Sequence, residues 1–289
     1  MIPPRTILAA VDFSDASRAS LHCAAALARR WTASLHVVHV LDPLLATAAQ
    51  MRHIDLVSDT REELRNFCRG IPLAEGPAHV LHVVTGSAAQ AICDTAAAHG
   101  VNLIVAGSHG RSGLNRLAMG TTVEHVIRRS LVSVLTVPER CAAEGVTEWG
   151  PVIAAVEDPE HPEPIARAAA TLAGALGAPL HLVHVVPPLP ALARWQAEAE
   201  AVHHAKIDEA QRTLAAAVGG LDGVAPAHVH VASGPVADAL PAEAGGHTGS
   251  MPLLVLGRAM PGHGHTPGSI ATRVIARATA PVWMYLASR

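Results

Sequence analysis

The chain has 289 residues, half of them apolar, and a formal net charge of −3. That length accommodates two domains of ordinary size, while no apolar run approaches a membrane span, so a soluble protein without a membrane partner is expected. A near-balanced charge with no basic block argues against nucleic acid as a partner. Cys23, Cys68, Cys93 and Cys141 are scattered without a Cys-x-x-Cys pair, which excludes a disulfide framework or a zinc ribbon. The first residues pass straight into an apolar run without a signal-peptide layout, and the cytoplasm is the expected compartment.

Residues 7–11 form a short apolar run of the kind that fills a strand buried on both faces. Ser14 or Asp15 then offers an N-cap, and Leu21, Ala24, Ala25 and Ala28 fall at helical spacing. A second strand is expected over 34–41, followed by one long amphipathic helix within 48–68. A third strand covers 78–85, and Ser87 with Gln90 has the spacing of a capping box opening a helix over 88–98. Residues 103–106, a helix near 122–130 and a strand over 132–137 complete the unit. Strands alternating with helices imply parallel pairing through right-handed crossovers, a three-layer α/β/α sheet.

The same unit is written twice. Residues 7–43 align without a gap on 152–188, with Leu35-His36-Val37-Val38-His39-Val40 matching Leu180-His181-Leu182-Val183-His184-Val185. Thr85-Gly86 answers Ser233-Gly234, Leu103-Ile104-Val105-Ala106-Gly107 answers Leu253-Leu254-Val255-Leu256-Gly257, and Gly120-Thr121 answers Gly268-Ser269. A tandem duplication follows, with one domain over 1–140, a linker over 141–150 and a second domain over 151–289.

The chemistry-bearing stretch follows the fourth strand. It reads Gly107-Ser108-His109-Gly110-Arg111-Ser112-Gly113 and, after an apolar segment, Gly120-Thr121-Thr122-Val123-Glu124. Glycine lets the backbone approach a bulky anion, and unpaired N–H groups at a helix start attract negative charge, so strand, loop and helix together suggest a phosphate cradle. No Gly-Lys-Ser/Thr follows, which excludes a Walker A loop, and the glycines are spaced too widely for a dinucleotide fingerprint. The plainer reading is a turn at Gly107 and Gly110, with Thr121 capping a helix in a box with Glu124.

The spacing Gly-x-x-Gly, nine residues, Gly-Ser/Thr resembles the ATP-binding signature of the universal stress protein family, and Val11-Asp12-Phe13-Ser14 matches it too. The resemblance implies an adenine nucleotide alpha hydrolase-like fold, a doubly wound five-stranded parallel sheet in each copy. It also implies ATP or a related adenine nucleotide as ligand, with magnesium an optional companion. First and fourth strands would be neighbours at the switch point, so that Asp12 and the glycine loop flank one crevice. Asp12 would repel a triphosphate at close range and belongs with the ribose or adenine. Phosphates belong at Gly120, Thr121 and Thr122, with Arg111 a mobile cation, and the resemblance gives the backbone near Val40 the adenine edge. Family members pair their last strands between subunits. Here the two copies would pair within one chain as a pseudo-dimer, with a homodimer and an unidentified protein partner left open.

The second copy departs from the signature. Glu157 replaces Asp12, Met260 replaces Gly110, and only seven residues, among them Pro261 and Pro267, separate Met260 from Gly268-Ser269. Nucleotide is therefore expected in the first copy, with the second degenerate. His263 and His265 offer two metal donors, too few for a closed zinc site. His36 and His39, three apart on a strand, face opposite sides and form no chelate. No nucleophile stands beside an oriented base, which favours a binding module, with a slow ATPase, an adenylylating enzyme or a nucleotide-free interaction protein as the rival readings.

Overall fold

Five short runs of mostly aliphatic residues build the sheet of the first unit: β1 (Thr6–Ala10), β2 (Ser34–Leu41), β3 (Val80–Thr85), β4 (Leu103–Gly107) and β5 (Ser133–Val137). The computed structural model describes residues 3–71, 79–109, 119–141, 148–221, 228–247, 250–258 and 269–286. Its chain divides into two units, with the change of unit between Gly145 and Val146. In the first, all pairings are parallel and the order is β3-β2-β1-β4-β5. β1 is central, so Ile7 stands beside Leu35 on one side and Leu103 on the other. Ile7, Leu8, Leu103 and Ile104 are fully buried. Each such side chain contributes about 1.5–3 kcal/mol relative to exposure, which sets the register of the central strands.

The connecting helices are α1 (Asp15–Trp31), α2 (Pro43–Met51), α3 (Leu56–Phe67), α4 (Ala88–Ala98) and α5 (Thr121–Arg129). Right-handed crossovers put α1 and α3 on one face of the sheet, and α4 and α5 on the other. Contacts agree. The Arg18 guanidinium lies 4.1 Å above the Phe67 ring, joining α1 to α3, and Arg129 donates to Gln90 at 3.0 Å, joining α5 to α4. Ser14 is the N-cap of α1, its Oγ accepting from Ser17 N–H at 3.2 Å, and Thr32 closes the helix in the left-handed region at φ 52°.

The helix expected within 48–68 is α3, and a further helix, α2, precedes it. Pro43 occupies the first turn of α2, where its missing N–H costs nothing, and Asp42 caps it by accepting from Leu44 N–H and Leu45 N–H. His53 at φ 57° then turns the chain before Asp55 caps α3. The capping box at Ser87 and Gln90 is not formed: Ser87 is the N-cap of α4 without a side-chain bond, and Gln90 donates to Asp94 instead.

The second unit repeats the plan with β6 (Trp149–Ala155), β7 (Leu180–Val186), β8 (His228–Ser233), β9 (Met251–Arg258) and β10 (Val282–Leu286), in the parallel order β8-β7-β6-β9-β10. Its helices are α6 (Glu163–Leu176), α7 (Gln196–Gly219), α8 (Val236–Gly245) and α9 (Ser269–Arg277). Gly177 ends α6 at φ 64°, as Thr32 ends α1. Arg277 binds Asp238 across α9 and α8, the counterpart of Arg129 with Gln90. Among the described residues no helix is long and apolar enough to cross a membrane.

Candidate functional site

β1 and β4 are hydrogen-bonded neighbours, yet the chain leaves them toward opposite faces, β1 into α1 and β4 toward α5. Such a divergence leaves a crevice beyond the carboxyl ends of the strands. Here it is a hollow of about 170 Å³ whose lining includes Asp12 after β1, Val40 near the end of β2, Gly107 at the end of β4, and Gly120, Thr121 and Thr122 at the start of α5. Six of the eight residues singled out in the sequence thus meet at one place. Gly110 and Arg111 lie outside the described residues.

The Asp12 corner is built by a local turn. One carboxylate oxygen accepts from Ser14 N–H at 3.1 Å and from Ser14 Oγ–H at 2.5 Å, an Asx turn that leads into α1. Phe13 sits at φ 66°, a left-handed conformation that costs an aromatic residue about 1–3 kcal/mol. Its ring is held 4.5 Å from His39 and 5.4 Å from Phe67, so packing offsets the backbone strain. His39 Nδ1–H in turn donates to Val11 O at 2.8 Å, since a carbonyl can only accept. That bond ties the end of β2 to the end of β1 beside the hollow.

The opposite wall belongs to α5. Gly120, not Thr121, is its N-cap, and among the described residues no side-chain capping bond is made there; Glu124 pairs with Arg128 at 2.6 Å rather than closing a box. Among the described residues the amides that open the helix thus have no side-chain cap, and the helix presents its positive end to the hollow with two exposed threonines. Gly120 N–H donates to Ser108 O at 3.0 Å and Ser108 N–H to Val137 O at 3.0 Å, which fixes the helix start against β5. Gly107 has its own constraint. A Cβ there would lie 2.9 Å from the Ala16 carbonyl carbon, so glycine is needed for α1 to seat on β4.

The hollow is also lined by Ser17, His39 and His109, none of which the sequence singled out for a ligand. His109 Nδ1 is 2.8 Å from Ser108 Oγ, and its Nε2 is buried without a hydrogen-bond partner among the described residues. A buried ring nitrogen left open beside a hollow is a ready contact for a polar ligand. Ser108 itself is only 1 % exposed and offers no accessible nucleophile.

The second unit keeps the frame and changes the chemistry. His184 Nδ1 bonds Val156 O at 2.9 Å, as His39 does Val11 O. Glu157 is exposed, and the following Asp158 accepts from Glu160 N–H and pairs with His161 at 3.0 Å. Arg258, buried, stands where the first unit has Ser108. Met260, Pro261, His263, His265, Pro267 and Gly268 lie outside the described residues.

A doubly wound parallel sheet in two tandem copies, the first with a hollow at its switch point, defines a class of α/β protein. Within that class the universal stress protein family matches residues 4–138 and again 148–285, and the chain belongs to that family. Universal stress protein A homolog 1 of Coxiella burnetii is 27% identical over 143 residues, 45% of this chain and 94% of its own length. Universal stress protein YxiE of Bacillus subtilis is 31% identical over 144 residues, 45% of this chain and 97% of its own. Each relative therefore matches about half of the chain. A solved universal stress protein from Archaeoglobus fulgidus covers 99% of this chain and 97% of its own at a TM-score of 0.62 and 16% identity, a likeness of fold.

Proposed function

We propose that the first unit binds an adenine nucleotide, ATP or a related species, and serves as a nucleotide-dependent binding module. The observation that carries this reading is the convergence of Asp12 and the uncapped start of α5, more than a hundred residues apart, on one hollow. The two walls suit the two ends of such a ligand. The α5 amides and threonines would take phosphate oxygens. Asp12, one of whose oxygens already accepts from Ser14, would accept from a ribose hydroxyl or the adenine amino group. Val40, Ala88 and Ile92 offer an apolar bed for the base. With Ser108 buried against His109, holding rather than turning over the ligand is the reading that fits, and occupied and empty forms would differ in affinity for a protein partner.

Calorimetric titration of the full chain with ATP, ADP and AMP is the direct test. One equivalent should bind per chain, in keeping with a degenerate second unit, and Asp12→Ala should weaken it by about tenfold, the loss of one charge-assisted hydrogen bond. No heat with any adenine nucleotide would leave the interaction-protein reading, and phosphate release lost in Gly110→Val would favour the ATPase.

A further inference from the structure

His36 on β2, His82 on β3 and His99 at the end of α4 come together on the face of the sheet covered by α4 and α5. His36 Nδ1 is 3.0 Å from His82 Nε2, and one ring nitrogen of each of the three residues lies within 4.8 Å of the others. The ring centroids form a nearly regular triangle, 5.2 Å for His36 and His82, 5.2 Å for His36 and His99, and 4.5 Å for His82 and His99. Three imidazoles bound to one tetrahedral ion at a Zn–N distance of about 2.0–2.1 Å have centroids roughly 5 Å apart. The triangle already has that size.

We propose that His36, His82 and His99 form a site for a divalent transition metal, Zn²⁺ above all, with the fourth coordination position open to solvent. The donor set selects the class of ion. Three imidazoles with no carboxylate in the group suit Zn²⁺ and disfavour Mg²⁺ and Ca²⁺, which require oxygen. His36 and His82 are half-buried and fixed by the sheet, whereas His99 is exposed at the helix end, so the ion has an entry path and its fourth ligand is water. Binding replaces the hydrogen shared by His36 and His82, the proton moving to the other ring nitrogen.

The second unit supplies a comparison. His181, His230 and His247 occupy the same positions of the repeat, His230 three residues before Ser233 as His82 is three before Thr85, and His247 thirteen after Gly234 as His99 is thirteen after Gly86. There His230 Nε2 turns to Glu243 at 3.3 Å, and the His181 ring instead meets those of His228 and His247 edge to face, with centroids 4.9 and 5.5 Å away. The triad is preserved in sequence and taken apart in geometry, so a single tight ion per chain is expected.

The test is Zn²⁺ competition against a chromophoric chelator, using the full chain stripped of metal, with Co²⁺ absorption as a second readout. Wild type should hold one ion per chain, show the visible band of tetrahedral cobalt and unfold at a higher temperature with Zn²⁺ present. His99→Ala, at an exposed position, and His82→Ala should each weaken binding at least about tenfold and abolish the thermal shift. His125→Ala, exposed on α5, should change neither. Binding unaltered in His99→Ala and His82→Ala, or no binding above that of scattered surface histidines, would overturn the assignment. Circular dichroism of the metal-free variants separates loss of the site from loss of the fold.

Discussion

Gly107 shows how a residue singled out for one reason can be constrained by another. In the sequence its place after an apolar strand points to a ligand, and it does line the hollow. Yet the missing Cβ is also required by α1, whose Ala16 backbone would be 2.9 Å away. Gly107→Ala should therefore destabilise the protein by about 1–3 kcal/mol, seen as a lower urea midpoint without any nucleotide present. Asp12 is the converse case. Its acidity was legible, but the Asx turn and the left-handed Phe13 that aim the corner depend on two aromatic neighbours from β2 and α3, which no local spacing announces.

At the level of elements, β2 carries two histidines with separate duties. His39 binds the Val11 carbonyl on one face, and His36 meets His82 and His99 on the other. Alternation along the strand revealed the opposite faces. It could not reveal that β3 and the end of α4 bring two further histidines to His36, because that meeting depends on which strands pair. Helix ends were legible where a side chain caps locally, as at Ser14. They were missed where a proline starts a helix rather than stops one, as at Pro43. The equivalent ring on β7 gives a pH prediction. Burial, followed by His228 and His247, lowers the pKa of His181 below 6.5, so the unfolded chain takes up its proton first. Its contribution to stability is complete above about pH 6.5 and is lost as the pH falls toward the lowered folded value. Thermal midpoints measured from pH 7.5 down to 5 should decline, and His181→Gln should decline less.

Across the whole chain, the duplication preserved what holds the fold and altered residues around the hollow of the first unit, with Glu157 in place of Asp12 and Arg258 in place of Ser108. Strand order, the histidine bond to the end of the central strand and the pairing of the last two helices recur in both units; the periodicity of the sequence exposed the alternation of strands and helices and the repeat, but neither the order of the strands nor the side-chain contacts. The cysteines are confined to the first unit. Burial pushes the Cys23 thiol far up and those of Cys68 and Cys141 to about 11, leaving Cys93 the more accessible. Iodoacetamide at pH 8 should label Cys93 alone in the native protein and all four after denaturation, as counted by mass spectrometry.

The matched histidine–carbonyl bonds, one per unit, carry a practical consequence. They make the C-terminal half an internal reference for the N-terminal one, present at equal concentration and in the same solvent. Resonances of His39 that move when a small molecule is added, while those of His184 stay still, would attribute the response to a single half without cutting the polypeptide.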